Sequence, residues 1–241
     1  RSTKDPKVHP LQQLYTAVDG IILVDRVVNN VRAMRIAKRM HTVHLSGSGN
    51  SSFGGTIQID NASGIEAIVT HLSSVHGVTD FGFVGGVKES PDAVARFEAF
   101  TRVVAQVGGV IHEDNVLTAD FSLTRAEEVL GSRLSSSSSS PLPQAFVCAN
   151  DQMALGAIHT LQQHGLSVPG NISVTGFDDI PLARTLHPAL TTVAQPSFEL
   201  GQAAVRMVIS LLDGDVNIGT VETLPTSLVV RQSCGCSKGA N

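Results

Sequence analysis

Short apolar and β-branched runs alternate along this chain with amphipathic segments long enough to be helices. The alternation predicts a parallel α/β sheet, because strands that pair in parallel need a crossover between them, which is usually a helix. The predicted strands are Gly20–Val24, Thr42–Leu45, Phe81–Val84, Ala145–Cys148 and Ile172–Gly176, and the predicted helices cover residues 27–39, 62–76, 91–107, 123–133, 151–164 and 197–213.

The last predicted helix carries an apolar stripe at helical spacing, which indicates either core or a subunit contact. Its members are Leu200, Ala203, Ala204, Met207, Val208 and Leu211. The apolar faces of this helix and of the helix over residues 62–76 are also compatible with a dimer.

The size and charge of the chain exclude several classes of protein. With 241 residues, 42% of them hydrophobic, it can form one large domain or two modest ones with cores of their own. No apolar stretch approaches the roughly 20 residues of a membrane span, and residues 1–5 do not begin a signal peptide, so we expect a soluble protein. A net charge of −4 gives no sign of a basic nucleic-acid-binding surface.

The three cysteines, Cys148, Cys234 and Cys236, do not form a disulfide framework by number. Cys148 lies in an apolar segment, which indicates a buried residue and a reducing, cytoplasmic setting. The pair in "SCGCSKG" is a weak zinc signal, because one C-x-C without a second group of ligands does not make a site. We interpret it as an inert tail and expect neither a metal nor a cofactor.

A low-complexity run, Ser135–Ser140, precedes Pro141 and Pro143. Such a run predicts a mobile surface connection that does not pack. Because the next strand follows within a few residues, the run is predicted to join a helix and a strand rather than two domains.

Motifs of enzymes are poorly represented. The glycine-rich segment Ser46–Gly55 lacks the Lys-Ser/Thr of a phosphate loop, and neither a G-x-S-x-G elbow nor an H-E-x-x-H helix occurs. Nine histidines are scattered, and one such as His71 on a helix is more simply a packed or solvated residue than a ligand. The chain is predicted not to be an enzyme.

Two polar pairs, Asn150-Asp151 and Asp178-Asp179, each follow a predicted strand. Ligands of open parallel sheets lie outside the carboxyl ends of the strands, so both pairs are expected to face one cleft. Carboxylate and amide groups there can bind the hydroxyls of a polyol. We predict that the second residue of each pair caps the following helix and that the first, Asn150 or Asp178, faces the ligand.

The block from residue 150 to residue 196 reads NDQMALGAIHTLQQHGLSVPGNISVTGFDDIPLARTLHPALTTVAQP. It resembles the corresponding block of the lactose/galactose-repressor (LacI/GalR) family of bacterial transcription regulators, whose effector-binding core is similar to periplasmic sugar-binding proteins. The resemblance runs from about residue 8 to residue 235 through the segments VDGIILV, IDNASGIEAIVTHL, FGFVGG, ARFEAF, ADFS, FELGQAAV and PTSLVVRQSCG.

The resemblance implies a periplasmic binding protein-like fold of two Rossmann-like α/β subdomains with parallel sheets, joined by three crossovers. Residues 1–59 plus 195–222 would form the N-terminal subdomain, which is incomplete because its first βαβ unit is missing, and residues 60–194 plus 223–241 the C-terminal one. The effector would lie in a cleft between them.

Site residues carry over where the motifs match. Arg96 corresponds to the arginine that holds effector hydroxyls or a carboxylate, and Phe121 to an aromatic residue that packs on the effector. With Asn150 and Asp178 they form the predicted ligand-binding set. A sugar-like ligand is favoured, although a purine or an amino-acid derivative would use similar groups. We expect Asp178→Ala and Arg96→Ala each to abolish binding and to leave thermal stability nearly unchanged.

The family implies the effector-binding and dimerisation core of a transcription regulator. The expected partners are a small-molecule effector, a second copy of the chain, and operator DNA bound only through an N-terminal helix-turn-helix that this chain lacks; no membrane is expected. The alternatives are the sensor module of another signalling protein and a transport-associated sugar-binding protein. An adjoining catalytic domain would indicate the first, and a signal peptide the second.

Overall fold

A computed structural model describes residues 17–24, 40–45 and 54–237. The chain divides into two compact units: unit 1 is Arg1–Ile59 with Pro196–Leu224, and unit 2 is Asp60–Gln195 with Pro225–Asn241. The boundaries expected from the sequence follow residues 59, 194 and 222. The predicted helix over residues 27–39, and residues 46–53 of the glycine-rich segment, lie outside the described residues.

Unit 1 contains a parallel sheet in which the strands β1 (Gly20–Val24), β2 (His41–Leu45), β3 (Gly54–Ile59) and β9 (Val221–Leu224) are neighbours in that order. Helix α5 (Ser197–Asp213) packs on this sheet. The apolar stripe predicted on this helix is core: its buried members lie against Val43 and Ile57. A Cβ at Gly55 would come 2.2 Å from the Met207 sulfur, so the helix approaches the strand as closely as only glycine permits.

Unit 2 contains a second parallel sheet with the order β5 (Val110–Thr118), β4 (Asp80–Gly85), β6 (Ala145–Cys148), β7 (Ser173–Thr175). The strands β8 (Thr192–Ala194) and β10 (Ser227–Val229) form an antiparallel pair beside β7. Two isolated parallel bridges, Thr175 with Thr191 and Asp178 with Ala194, connect this pair to β7 and to the turn that follows it. The helices are α1 (Asn61–His76), α2 (Pro91–Gln106), α3 (Leu123–Ser135) and α4 (Asp151–Gln163), with a short 3-10 helix at Pro181–Arg184. The largest fully buried side chains are phenylalanines: Phe81, Phe83, Phe100, Phe146 and Phe177.

The strand order of unit 2 reverses beside β4. The chain runs from β4 to β5 on one side and then returns to β6 on the other side of β4. Right-handed crossovers in opposite directions place helices on both faces of the sheet, and α1 accordingly packs with α2, and α3 with α4. The point of reversal, at the carboxyl ends of β4 and β6, is where such sheets bind ligands.

Every predicted helix from residue 62 onward is confirmed, with bounds that shift by a residue or two. Five strands were not predicted: β3, β5, β8, β9 and β10. Strand β5 was missed because residues 112–115 are polar and break the apolar pattern of a strand. The strand tolerates them because it lies at the edge of the sheet and its register with β4 shifts between Phe81 and Phe83. The apolar face of α1, with Ile65, Ile68 and Leu72, is fully buried in unit 2 and is therefore core rather than a dimer surface.

The serine run joins α3 to β6 at the surface, as expected, and hydrogen bonds anchor it there. The Ser138 and Ser140 hydroxyls donate to Asp114 Oδ2 over 2.5 and 2.9 Å, and Arg133 Nη2 donates to the Ser140 carbonyl over 2.8 Å. The two hydroxyl hydrogen bonds hold the pKa of Asp114 below its usual value.

Within the described ranges, no helix combines the length and the apolar character needed to cross a membrane.

Candidate functional site

The four predicted site residues meet at the carboxyl edge of the unit 2 sheet. Phe121 follows β5, Asn150 follows β6 and Asp178 follows β7, while Arg96 lies near the start of α2, which follows β4. Two contacts link them in pairs: Arg96 Nη1 lies 3.8 Å from Asp178 Oδ1, and Asn150 Nδ2 donates to the Phe121 carbonyl over 3.4 Å. The parallel topology predicted from the sequence therefore gathers residues that are far apart in the chain.

Arg96 is held from several sides and is only 4% exposed. Its Nε donates to Asn61 Oδ1 over 2.7 Å, and its Nη1 donates to the Ala149 carbonyl. The guanidinium also stacks 3.8 Å from the centre of the Phe177 ring. A cation so enclosed needs these partners, and its removal would leave them unpaired, so the expectation that Arg96→Ala leaves stability unchanged no longer holds.

Asp178 is the most accessible charge of this group, with a side chain that is 27% exposed. Its Oδ1 accepts a hydrogen bond from Gln195 Nε2, and its backbone N–H donates to the Val193 carbonyl over 2.8 Å. Its φ is 124°, and that of Asp179 is 55°. Two successive non-glycine residues at positive φ make a strained turn, and such strain clusters at binding sites.

Phe121 also sits in a left-handed turn, since φ is 53° at Asp120 and 59° at Phe121. The turn lays the ring on Gly86, just after β4: a Cβ at Gly86 would lie 2.2 Å from the ring Cζ. The ring is half-buried and therefore presents apolar surface at the same edge.

The predicted capping role of Asp151 was wrong. Asn150 is the cap of α4, with its Oδ1 accepting from Met153 N over 2.9 Å. Asp151 lies inside the first turn with no exposed surface, and its carboxylate accepts from the Ile180 N–H over 2.9 Å and from the Thr192 hydroxyl over 2.5 Å. The cap begins one residue earlier than expected because the second side chain turns into the protein to hold the turn after β7.

The predicted role of Asp179 as a helix cap was also wrong. The short helix begins at Pro181 after Ile180, which makes no side-chain cap. Asp179 instead accepts from Arg231 Nη2 over 2.6 Å, and Arg231 Nη1 donates to the Leu190 carbonyl over 2.9 Å. This ion pair stabilises the strained turn at Asp178-Asp179.

Burial dominates the electrostatics of Asp151. Desolvation raises the pKa of its carboxyl to about 6, against the opposing effect of the hydrogen bonds from Thr192 and Ile180, and the neighbouring carboxylates of Asp178 and Asp179 raise it further. Cys148, the thiol next to this turn, is fully buried, and burial raises its pKa well above its ordinary value. A thiol of this kind is not an activated nucleophile.

Three residues of the edge were missed by the sequence reasoning. Asn61 orients Arg96 and donates from Nδ2 to Asp92 Oδ1 over 2.8 Å, Phe177 lies under the guanidinium, and Gln195 holds Asp178. Each makes its contact with a residue at least 17 positions away in the sequence, and no local sequence pattern predicts such a contact. Together the edge offers a carboxylate, a guanidinium, an amide and an aromatic face, which suit the binding of a polar ligand better than chemistry upon it.

Comparison with known proteins agrees with this arrangement. The family model of the periplasmic binding protein-like domain matches residues 69–234. The chain belongs to this family. The family model covers most of unit 2 and all residues of the candidate edge except Asn61.

The relatives of this periplasmic binding protein-like chain are regulators. The HTH-type transcriptional repressor MelR of Bacillus subtilis is 28% identical over 94% of this chain and 66% of its own length. The HTH-type transcriptional regulator MalR of Streptomyces coelicolor is 34% identical over 76% of this chain and 53% of its own length. The chain thus spans between about half and two thirds of these relatives.

Among solved structures, the lac repressor dimer bound to operator and the anti-inducer ONPF superposes with a TM-score of 0.77 at 25% identity, covering 92% of this chain and 76% of that one. The predicted resemblance to the lactose/galactose-repressor family is confirmed, as is the predicted fold class. The chain is thus similar to the effector-binding core of LacI-type regulators, and the two relatives above are named as a transcriptional repressor and a transcriptional regulator.

Proposed function

We propose that the carboxyl edge of unit 2 binds a sugar or a similar polyhydroxylated effector through Asp178, Phe121, Arg96 and Asn150. The observation that carries the proposal is the partly exposed Asp178 carboxylate, held in a strained turn beside a buried arginine. A carboxylate accepts two hydroxyl hydrogen bonds with charge-assisted strength, and an aromatic face suits the C–H face of a sugar ring.

The four residues contribute differently. Asp178 and Phe121 retain accessible surface and are the proposed direct contacts. Arg96 and Asn150 are buried, at 4% and 7% exposure, and hold these two in place through the ion pair and through the bond to the Phe121 carbonyl. A ligand hydroxyl that reaches Asp178 also meets the positive potential of Arg96.

A binding screen tests the proposal. The full natural protein is heated in the presence of sugars, sugar phosphates, polyols and purines, and a ligand at about 100 times its dissociation constant adds about 2.7 kcal/mol to the free energy of unfolding. We then expect Asp178→Asn to weaken the best ligand at least about 100-fold by titration calorimetry, because a charge-assisted acceptor is lost. Asparagine preserves the shape and tolerates positive φ, so the turn remains.

Asp179→Asn is the matched control, since it removes the adjacent carboxylate of the same turn. It is expected to lower the melting temperature through the loss of the Arg231 ion pair and to bind the ligand within about threefold of the wild type. Equal loss of affinity in both variants would show that the turn acts only as structure, and an unchanged affinity of Asp178→Asn would remove it from the site.

We further propose a homodimer that contacts operator DNA through an N-terminal helix-turn-helix, in the cytoplasm. The relatives named as HTH-type regulators support the DNA contact, and an exposed apolar stripe on α5 supports the dimer. Phe198, Val205 and Ile209 are 73%, 51% and 52% exposed and lie on the side of α5 opposite its core face. Val205→Glu should lower the dimer fraction in sedimentation equilibrium, whereas Glu199→Gln on the same helix should not.

Regulation follows if the effector has a higher affinity for one conformation of the protein than for another, because only such a difference shifts their populations. Couplings of this kind amount to about 1–3 kcal/mol. We expect the effector to change operator affinity by about 5–150-fold, and Asp178→Asn to abolish the change while leaving effector-free DNA binding intact.

A further inference from the structure

Four metal-binding side chains converge in unit 2 between the end of α1 and the chain after β10. They are His71, His76, Cys234 and Cys236, and one ligand atom of each lies within 4.8 Å of the others. The expectation of an inert C-x-C tail depended on the lack of a second group of ligands. The fold supplies that group from a helix about 160 residues away.

The distances fit a tetrahedral cation. Cys234 Sγ lies 3.4 Å and Cys236 Sγ 3.8 Å from His71 Nε2, and Cys236 Sγ lies 3.5 Å from His76 Nε2. A zinc ion with bonds of about 2.3 Å to sulfur and about 2.05 Å to nitrogen sets neighbouring sulfur and nitrogen ligands about 3.6 Å apart. These three separations match edges of one coordination tetrahedron, and all six separations among the four ligand atoms are within 4.8 Å.

The backbone presents the ligands in the required directions. His71 and His76 lie in the last two turns of α1, with ring centroids 5.1 Å apart in an edge-to-face arrangement. Gly235, between the cysteines, has φ 111°, and a Cβ there would lie 3.1 Å from His76 Nδ1. Glycine thus lets the chain turn so that both sulfurs face the imidazoles.

The surroundings of Cys234 resemble those of a built ligand. The residue is 1% exposed, and the Thr191 hydroxyl donates to its sulfur over 3.1 Å. Its carbonyl accepts from the Ser173 hydroxyl over 3.1 Å. The N–H of the preceding Ser233 donates to the Ala189 carbonyl over 2.9 Å, and the Ser233 carbonyl accepts from the Val174 N–H over 3.0 Å. Hydrogen bonds to a ligand sulfur and to its backbone orient the ligand and are typical of metal sites.

We propose that these four residues form a closed Cys2His2 site for zinc that fastens the segment after β10 to the end of α1. Two thiolates and two imidazoles in a tetrahedron select zinc over magnesium or calcium, which take oxygen ligands. Four protein ligands leave no open position, so the site is structural rather than catalytic. The inference does not rest on the proposed effector binding.

The first measurement is the metal content of the reduced full-length protein, followed by titration of the chelator-treated protein with Zn²⁺ and with Co²⁺. We expect about one zinc per chain, a dissociation constant in the nanomolar range or tighter, and for Co²⁺ the thiolate charge-transfer and tetrahedral ligand-field bands. Zinc should also raise the melting temperature.

Single substitutions separate the site from general stability. Cys236→Ser and His76→Gln change half-buried ligands and are expected to weaken zinc at least about 100-fold and to remove the effect of zinc on melting. Matched controls are Cys148→Ala, a cysteine in β6, and His159→Gln, an exposed histidine of α4, and both should bind zinc as the wild type does.

Three results would overturn the proposal: micromolar or weaker zinc affinity in the reduced protein, equal affinity in the ligand variants and the wild type, and cobalt spectra without thiolate bands. A Cys234–Cys236 disulfide that persists in the protein isolated under reducing conditions, seen by mass after alkylation, would likewise overturn it. Failure here leaves the effector screen unaffected, since that screen has its own variants.

Discussion

The turn after β6 and the turn after β7 have similar sequences, but their aspartates lie in different environments. Each is an apolar strand followed by a polar pair that ends in aspartate. In the first, Asn150 caps α4 and the Asp151 side chain is wholly buried. In the second, both aspartates adopt positive φ, and Asp178 remains partly exposed beside Arg96.

The difference shows that burial, rather than residue type, decides what an acidic turn does. Asp151 accepts from Ile180 and Thr192 and so builds the second turn from inside the first. Asp178 is thereby held in a conformation that its own local preferences disfavour. Strain of this kind persists only where the surroundings enforce it, and it is consistent with a binding role for the second turn and a supporting role for the first.

The largest expected effect on the free energy of unfolding comes from removing the Asp151 carboxylate from the turn after β6. Asp151→Ala leaves the buried Thr192 hydroxyl and the partly buried Ile180 N–H without their acceptor, and each such loss costs about 1–3 kcal/mol. We expect urea unfolding to show a loss of about 3–4 kcal/mol. The exposed Glu98→Ala in α2 is the control and should stay within about 0.5 kcal/mol. A small effect of Asp151→Ala would contradict its supporting role.

The pH dependence of stability should identify the same carboxyl. Its pKa is about 6 in the folded protein and is near its ordinary value of 3.8 when unfolded, so the folded state binds more protons between these values. Wild-type stability should therefore rise relative to Asp151→Asn as pH falls from about 6 to about 4, by about 2–3 kcal/mol. A difference that stays constant over this range would mean that the carboxyl titrates normally.

The ion pair beneath the second turn should contribute less. Asp179 and Arg231 are 19% and 16% exposed, so solvent screens their attraction in part. Asp179→Asn is expected to cost about 1–2 kcal/mol in urea unfolding, and a double-mutant cycle with Arg231→Gln should recover most of this as coupling. Additive losses in the cycle would show that the two side chains act separately.

The smallest effect is expected at the cap. Asn150→Ala should cost about 1 kcal/mol, whereas Asn150→Ser, which can still accept from Met153 N, should cost only a few tenths. The serine variant cannot donate to the Phe121 carbonyl, so we expect it to weaken effector binding a few-fold. Retention of full affinity in Asn150→Ser would limit Asn150 to capping.

Local pattern was sufficient for much of the fold. The spacing of Ala203, Met207 and Leu211 predicts the apolar stripe of α5, and the runs at 145–148 and 20–24 predict strands, because helix and strand periods are properties of neighbouring residues. The polar middle of β5 defeated this reasoning, since an edge strand is half solvated and need not alternate.

The sequence by itself determined the alternation of strands and helices, and with it the edge to which Asn150 and Asp178 belong, because parallel strands carry their carboxyl ends to one side. Only the tertiary structure decided that Asp151 is buried and that Asp178 stays partly exposed. It also decided that His71 and His76 face Cys234 and Cys236. Desolvation and long-range hydrogen bonds depend on partners that folding brings together from distant parts of the chain, and no local pattern specifies them.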